Sequence, residues 1–169
     1  MDVLIIGGVA GGTKAAAKLK RIDPGANVTI LSNSPDISYA GCGLPYYAGG
    51  VIEDRDELIV NTPEDYSDFT GAKVITGVEA TGVNPGAKTV SAKNLATGET
   101  IEYTYDKLIV STGASSAVPN IPGTDLAGVF KMRVPSDAIN LRDYVDKNEA
   151  KSALVVGGGF IGLEVAENL

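Results

Sequence analysis

Cys42 is the only cysteine in this 169-residue chain, it lies in the stretch SYAGCGLPYY between Ser38 and Tyr47, and the chain contains no histidine to serve as its base. A lone thiol closes no internal disulfide, and without further cysteine or histidine it belongs to no zinc ligand set, so no metal site is expected. The thiol is therefore either inert packing or chemically used. Its neighbours suit use: Gly41 and Gly43 let a flat ring approach the backbone closely. The residues after Cys42 read as the start of a helix, whose N–H groups favour a thiolate without any imidazole. A thiolate of that kind attacks a disulfide or persulfide sulfur and keeps the mixed disulfide until electrons arrive. Tyr46 and Tyr47 read as packing residues, the alternative being that one hydroxyl faces a substrate.

Two glycine clusters offer a different chemistry. In a dinucleotide fold, glycines let a strand turn sharply into a helix, so that backbone N–H groups and the positive helix end face a pyrophosphate. Gly157, Gly159 and Gly162 in GGGFIG carry the G-x-G-x-x-G spacing. The earlier cluster, Gly7, Gly8, Val9, Ala10, Gly11 and Gly12, has Val9 where the second glycine is expected. Both clusters have an alternative reading, in which the glycines serve only tight strand–helix packing. The fingerprint further expects an acid about 20 residues on, to hold ribose hydroxyls. The count reaches Ser32, and a hydroxyl in place of a carboxylate costs on the order of 1 kcal/mol, roughly fivefold in affinity. Neither Ser32 nor Asn33 is an arginine, so a ribose 2′-phosphate is not obviously welcomed.

The elements that must position these groups follow from the hydrophobic period. Short uninterrupted apolar runs predict buried parallel strands near residues 2 to 6, 28 to 31 and 107 to 111. An alanine-rich helix lies between the first two, closed by Pro-Gly. Alternating residues with turn signals at NPG and TGE predict an antiparallel meander from about Val74 to Val110, and a helix is expected near Ser136 to Asp146. ALVVGGGFIGLEVAENL then reads as a second strand, glycine turn and helix, an internal repeat of the opening unit that is cut short. The expected class is α/β: a Rossmann-like three-layer domain with a parallel sheet and a β-meander, followed by the start of a second such unit.

Composition limits the partners. The chain is 44% hydrophobic, enough for one domain with a true core. Its net charge of −7 gives no general attraction to nucleic acid or anionic membrane, so any phosphate must be held locally. Val3 to Ile6 is too short to span a bilayer and no secretion signal is evident, which leads to the expectation of a cytoplasmic, soluble protein.

GGVAGG, CGLPYY about thirty residues later, and YDKLIVSTGA ahead of PNIPG occur together. In combination they resemble the flavin-dependent pyridine nucleotide-disulfide oxidoreductases, specifically the single-cysteine branch of coenzyme A-disulfide reductases, NADH oxidases, NADH peroxidases and persulfide reductases. The resemblance implies that the first glycine turn binds FAD, the second binds NAD(P)H, and Cys42 is the catalytic redox centre. By position it places Gly7, Gly8, Gly11 and Gly12 on the FAD pyrophosphate, Ser32 and Asn33 near the adenosine ribose, and the Ala80 backbone at the adenine. Thr112, Gly113 and Ala114 would meet the cofactor near a domain junction, with Ser38 on the substrate side. Peroxidase-like members carry a histidine where this chain has Ala10, which favours coenzyme A disulfide or a persulfide as substrate over peroxide. The alternatives are an NADH oxidase or peroxidase, and a nucleotide-binding module without turnover. The run from Ala15 to Arg21 matches a basic pattern of the reductase subgroup. Lys18 and Arg21 would there meet coenzyme A phosphates, or else form the solvated face of an amphipathic helix. The implied organisation is an incomplete FAD domain over 1–115, a connecting segment over 116–150 and the opening of an NAD(P)H domain over 151–169, with a homodimer at full length. The chain alone is expected to bind FAD incompletely and to lack turnover.

Overall fold

Residues Val3 to Ile6 are buried along their whole length because two different layers cover the strand they form. The computed structural model describes residues 1–169 and divides into two units: Met1–Tyr39 with Asn61–Gly113, and Ala40–Val60 with Ala114–Leu169. In the first unit, β1 (Asp2–Ile6), β2 (Asn27–Leu31), β3 (Lys73–Ile75) and β7 (Lys107–Val110) form a parallel sheet of order β3-β2-β1-β7. Val3 pairs with Val28 and Lys107, and Ile5 with Ile30 and Ile109. Strands β4 (Val78–Asn84), β5 (Thr89–Asn94) and β6 (Thr100–Thr104) form the antiparallel meander, with a bulge between Ala80 and Gly82.

Alternate side chains of the parallel sheet enter separate cores. Val3, Ile5, Val28 and Ile30 pack with Ala16 of α1 (Ala10–Ile22) and Tyr66 of α3 (Pro63–Thr70). Leu4, Ile6 and Leu31 face the other way, onto Val78, Val90 and Ala92 of the meander. Helices, parallel sheet and meander are thus the three layers expected from the sequence. Asparagine side chains fix both meander turns: Asn84 Oδ1 accepts from the Gly86 and Ala87 N–H groups, and Asn94 Oδ1 from those of Ala96 and Thr97.

Two sequence expectations require correction. The meander begins at Val78, because Lys73–Ile75 extends the parallel sheet beside β2 and the chain then turns at Gly77, whose φ is +66°. Ala153 to Val156 forms no strand. No strand of either sheet pairs with it, and Leu154 and Val156 are 90% and 88% exposed. An apolar run without a hydrogen-bonded neighbour has no ladder to join.

The second unit is built on helices. A 3₁₀ turn at Gly41–Gly43 leads into α2 (Leu44–Ala48), and α4 (Pro135–Asn148) and α5 (Phe160–Asn168) follow later in the chain. Leu44, Tyr47, Ala48, Leu58 and Ala138 form its core. No helix is long and apolar enough to cross a membrane.

One buried hydroxyl ties α3 to α1 in the first unit: Tyr66 Oη donates to the Thr13 carbonyl. Burial raises its pKa above the ordinary 10.0. The folded chain therefore holds this proton more tightly than the unfolded chain, and the associated stability is complete below the unfolded pKa and lost as pH climbs past 10. Tyr66→Phe should cost about 1 kcal/mol near neutral pH. It should also flatten the alkaline loss of stability, as urea midpoints measured on both sides of the phenol pKa would show.

Candidate functional site

The strand order changes direction at β1, with β2 on one side and β7 on the other, which leaves a crevice outside the carboxyl ends of β1 and β7. Gly7 closes that end of β1. Its N–H donates to Leu31 O at 2.8 Å, and its φ of +112° belongs to a region that side chains avoid. A β-carbon at Gly7 would run into the Ser111 carbonyl, one at Gly11 into Ser111 Oγ, and one at Gly12 into the carbonyl of Gly7 itself. The three glycines thus allow α1 to start hard against β1 and β7. Gly8 is equally confined, since a β-carbon there would stand 2.8 Å from Ile37 Cγ2 and 3.2 Å from Ser32 Cβ. Helix α1 begins at Ala10 after Val9, with no side-chain cap and no acid in its first turn. The N–H groups of that turn and the positive helix end are left for an anion.

Beside this turn lies a cleft of about 210 Å³. Ile6, Leu31, Val78 and Ala80 give it an apolar lining; Gly7, Ser32, Asn33, Glu79 and Thr112 complete it. Clefts that take a whole ligand run from about 300 Å³ upward, so this one suits the nucleoside end of a dinucleotide. Ser32 is buried and tightly fixed. Its N–H donates to Ile75 O at 2.9 Å, its carbonyl accepts from Val78 N at 3.0 Å, and its Oγ accepts from Ser34 N at 3.3 Å. A serine hydroxyl with its acceptor side used still has a proton to donate, so a ribose hydroxyl can be met without a carboxylate.

Gly7, Ser32, Asn33, Ala80 and Thr112 therefore come together at one cleft, and Gly8, Val9, Ala10, Gly11 and Gly12 form the adjoining turn and helix start. The sequence reading missed Ile6, Leu31, Val78 and Glu79. Their signal was positional, since they end β1 and β2 or flank Ala80. Gly113, with φ +70°, ends the first unit, while Ala114 belongs to the second, where its carbonyl accepts from Arg133 Nε at 2.9 Å. Lys18 and Arg21 are exposed on α1 and line no part of the cleft. Ser38 is outside the cleft too. It adopts a left-handed backbone with φ +50°, donates its N–H to Gly8 O at 3.0 Å and accepts from Asn61 Nδ2 at 3.2 Å.

Cys42 lies in the second unit, exposed, within the 3₁₀ turn that precedes α2. Its two glycine neighbours differ. Gly41 faces open space, whereas a β-carbon at Gly43 would press on Leu58 Cδ2 at 3.2 Å and Ile52 Cδ1 at 3.3 Å. Close core packing thus accounts for Gly43, a constraint the sequence reading assigned to cofactor approach. Tyr47 is buried as expected, but Tyr46 is 41% exposed and does not fill the core. Gly157 repeats the geometry of Gly7 with φ +111°, and a β-carbon at Gly162 would strike the Gly157 carbonyl, as one at Gly12 strikes Gly7. Gly159 is the N-cap of α5, and nothing stands near it.

The glycine geometry separates two substitutions that look alike on paper. Gly12→Ala should destabilise the chain by about 1–3 kcal/mol through overpacking against Gly7 and weaken ADP binding in calorimetry. Gly41→Ala, pointing into open space, should change the urea midpoint by less than about 0.5 kcal/mol.

Comparison with known proteins agrees with this geometry. The family model described as pyridine nucleotide-disulphide oxidoreductase matches residues 1–169. A coenzyme A disulfide reductase of Staphylococcus haemolyticus is 37% identical over 167 residues, which cover 99% of this chain and 37% of that protein. Reduced CoADR-RHD of Bacillus anthracis superposes with a TM-score of 0.95 at 40% identity, covering 99% of this chain and 30% of that one. An NAD-dependent persulfide reductase from A. fulgidus gives a TM-score of 0.94 at 35% identity, with coverage of 99% and 31%. The chain spans little more than a third of the length of the curated relatives it matches. With its whole length matched, and with both glycine turns built alike, the chain belongs to the pyridine nucleotide-disulphide oxidoreductase family.

Proposed function

We propose that this chain carries the flavin-binding portion and the redox cysteine of an FAD-dependent NAD(P)H:disulfide oxidoreductase acting on coenzyme A disulfide or a persulfide. The observation that carries the reading is the exposed thiol of Cys42, the sole cysteine, in a chain 37% identical to coenzyme A disulfide reductase. In this reading residues 1–115 form the FAD domain, 116–150 connect, and 151–169 open the NAD(P)H domain with Gly157, Gly159 and Gly162 at its turn.

The cradle fits one end of FAD. The uncapped first turn of α1 would take the pyrophosphate, Ser32 and Asn33 the ribose, and the apolar walls around Ala80 the adenine, while Thr112, Gly113 and Ala114 lie farther along the cofactor. When bound, FAD supplies two electrons drawn from NAD(P)H. The chain's own step is thiol–disulfide exchange. Cys42 sulfur forms a bond to one sulfur of the substrate as the substrate S–S bond breaks, and the departing thiolate leaves with the electron pair and takes a proton from water. Two electrons and two protons then return the mixed disulfide to the Cys42 thiol and a second free thiol. A peroxide route would need an acid near the sulfur, and Ala10 and the absence of histidine offer none at the glycine turn.

Cys42→Ser in the intact flavoprotein should abolish reduction of coenzyme A disulfide while flavin reduction by NADH persists, because hydride transfer needs no sulfur. Stopped-flow absorbance and thiol release measure the two separately. A Cys42→Ser protein reducing disulfide at the unmodified rate would refute the role, and faster turnover of hydrogen peroxide than of disulfide would move the chain to the peroxidase branch.

A further inference from the structure

The segment that carries Cys42 has little means of holding its own shape. Helix α2 has five residues, Leu44 to Ala48, far fewer than a helix needs to persist in water by itself. It begins after Gly43 and ends in Gly49 and Gly50, so the flanking chain adds no stiffness. Its apolar side is held by Leu44, Tyr47 and Ala48 packing with Leu58 and with Ala138 of α4. Such packing fixes depth but leaves sliding along the contact only weakly opposed.

A single cation on α4 supplies the directional part. Arg142 Nη1 donates to the Ile52 carbonyl at 3.0 Å, to Glu53 O at 3.2 Å and, more weakly, to Tyr47 O at 3.4 Å. Its guanidinium also lies over the Tyr47 ring, 4.7 Å from the centroid. Asp146 Oδ2 stands 4.0 Å from Arg142 Nε one turn along α4, a distance that orients the group more than it binds it. These carbonyls end α2 and the loop after it, where a cation is favoured by the helix dipole and by C-terminal oxygens that lack helical partners. A planar fork stacked on an aromatic ring can meet several carbonyls at once, which a lysine ammonium cannot do in the same geometry.

We propose that Arg142 is a positioning residue for the Cys42 thiol: by clasping the chain from Tyr47 to Glu53 it fixes α2, and through α2 the turn that bears the sulfur. The proposal rests on the redox role of Cys42 argued above. Thiol–disulfide exchange requires the attacking sulfur to approach along the axis of the bond being broken, so a small displacement of the turn slows it, whereas electron entry from NAD(P)H is indifferent to it.

The test compares Arg142→Met, Arg142→Lys and Cys42→Ser in the intact flavoprotein. Arg142→Met should lower kcat for coenzyme A disulfide by about tenfold to a hundredfold, with KM and the rate of flavin reduction by NADH within about twofold of the parent. Arg142→Lys, which restores charge without the fork or the stacking, should recover part of the loss. The rate of Cys42 alkylation by iodoacetamide, read by mass spectrometry, should change in Arg142→Met and return toward the parent in Arg142→Lys. Unchanged kcat and alkylation in Arg142→Met overturn the proposal, as does a parallel loss of flavin reduction, which would mark Arg142 as merely structural. If Arg142→Met does not accumulate folded, Tyr47→Leu, which removes the stacking ring, replaces it: slowed disulfide turnover with flavin reduction intact supports the clasp, and unchanged turnover overturns it. Retained disulfide turnover in Cys42→Ser would overturn the redox role itself, and a dead Cys42→Ser beside an unimpaired Arg142→Met would overturn only the clasp.

Discussion

The carbonyl of Gly7 occupies the place that a β-carbon on residue 12 would need. That contact fixes how near the first turn of α1 comes to the end of β1, and much of the nucleotide side depends on it. Had residue 12 a side chain, α1 would have to withdraw from the sheet, taking its uncapped N–H groups away from the crevice. The same withdrawal would loosen Ala16 from Val3 and Ile5 in the helix-side core. Gly7 can point its carbonyl there only because it accepts a φ of +112°, and it is held there by its bond to Leu31 O. Gly157 and Gly162 repeat the relation. The two copies differ in support, since β1 has strands on both sides while Ala153 to Val156 pairs with none.

The cysteine side obeys a different logic. No strand holds the turn around Cys42; an abbreviated helix does, stabilised by the core under Leu44 and Tyr47 and by a cation bound to carbonyl groups. A thiol that must be reached by a bulky disulfide has to lie at the surface, and surface turns are the least constrained parts of a fold. Exposure and fixed direction conflict, and here the constraint is applied from behind, through backbone oxygens, so that the sulfur itself stays uncovered.

How much of the molecule is legible in its sequence differs by element for physical reasons. The strands β1, β2 and β7 are legible because continuous burial on two faces leaves a continuous apolar run. Three residues, Lys73 to Ile75, are too few to show a period, so β3 merges with the meander that follows it. Ala153 to Val156 has the composition of a buried strand, but composition records a tendency to be covered and cannot supply the partner. Ser32 is found by counting from the glycines, since strand and helix lengths in this unit are fixed by geometry. Val78 and Glu79 carry no motif and reach the cleft only because the meander folds back over the sheet. Arg142 is invisible for a similar reason: on a helix its charge reads as a solvated face, and the carbonyls it binds lie 89 to 95 residues earlier in the chain.

The central claim, that Cys42 exchanges with a disulfide, is tested most directly by peptide mass mapping. The reduced protein would be mixed with one equivalent of coenzyme A disulfide in the absence of NADH, quenched in acid and digested. The account predicts a single coenzyme A adduct, on the peptide containing Cys42, removed by dithiothreitol and formed with release of one equivalent of free coenzyme A. An unmodified Cys42 peptide, with the disulfide recovered intact, would contradict it.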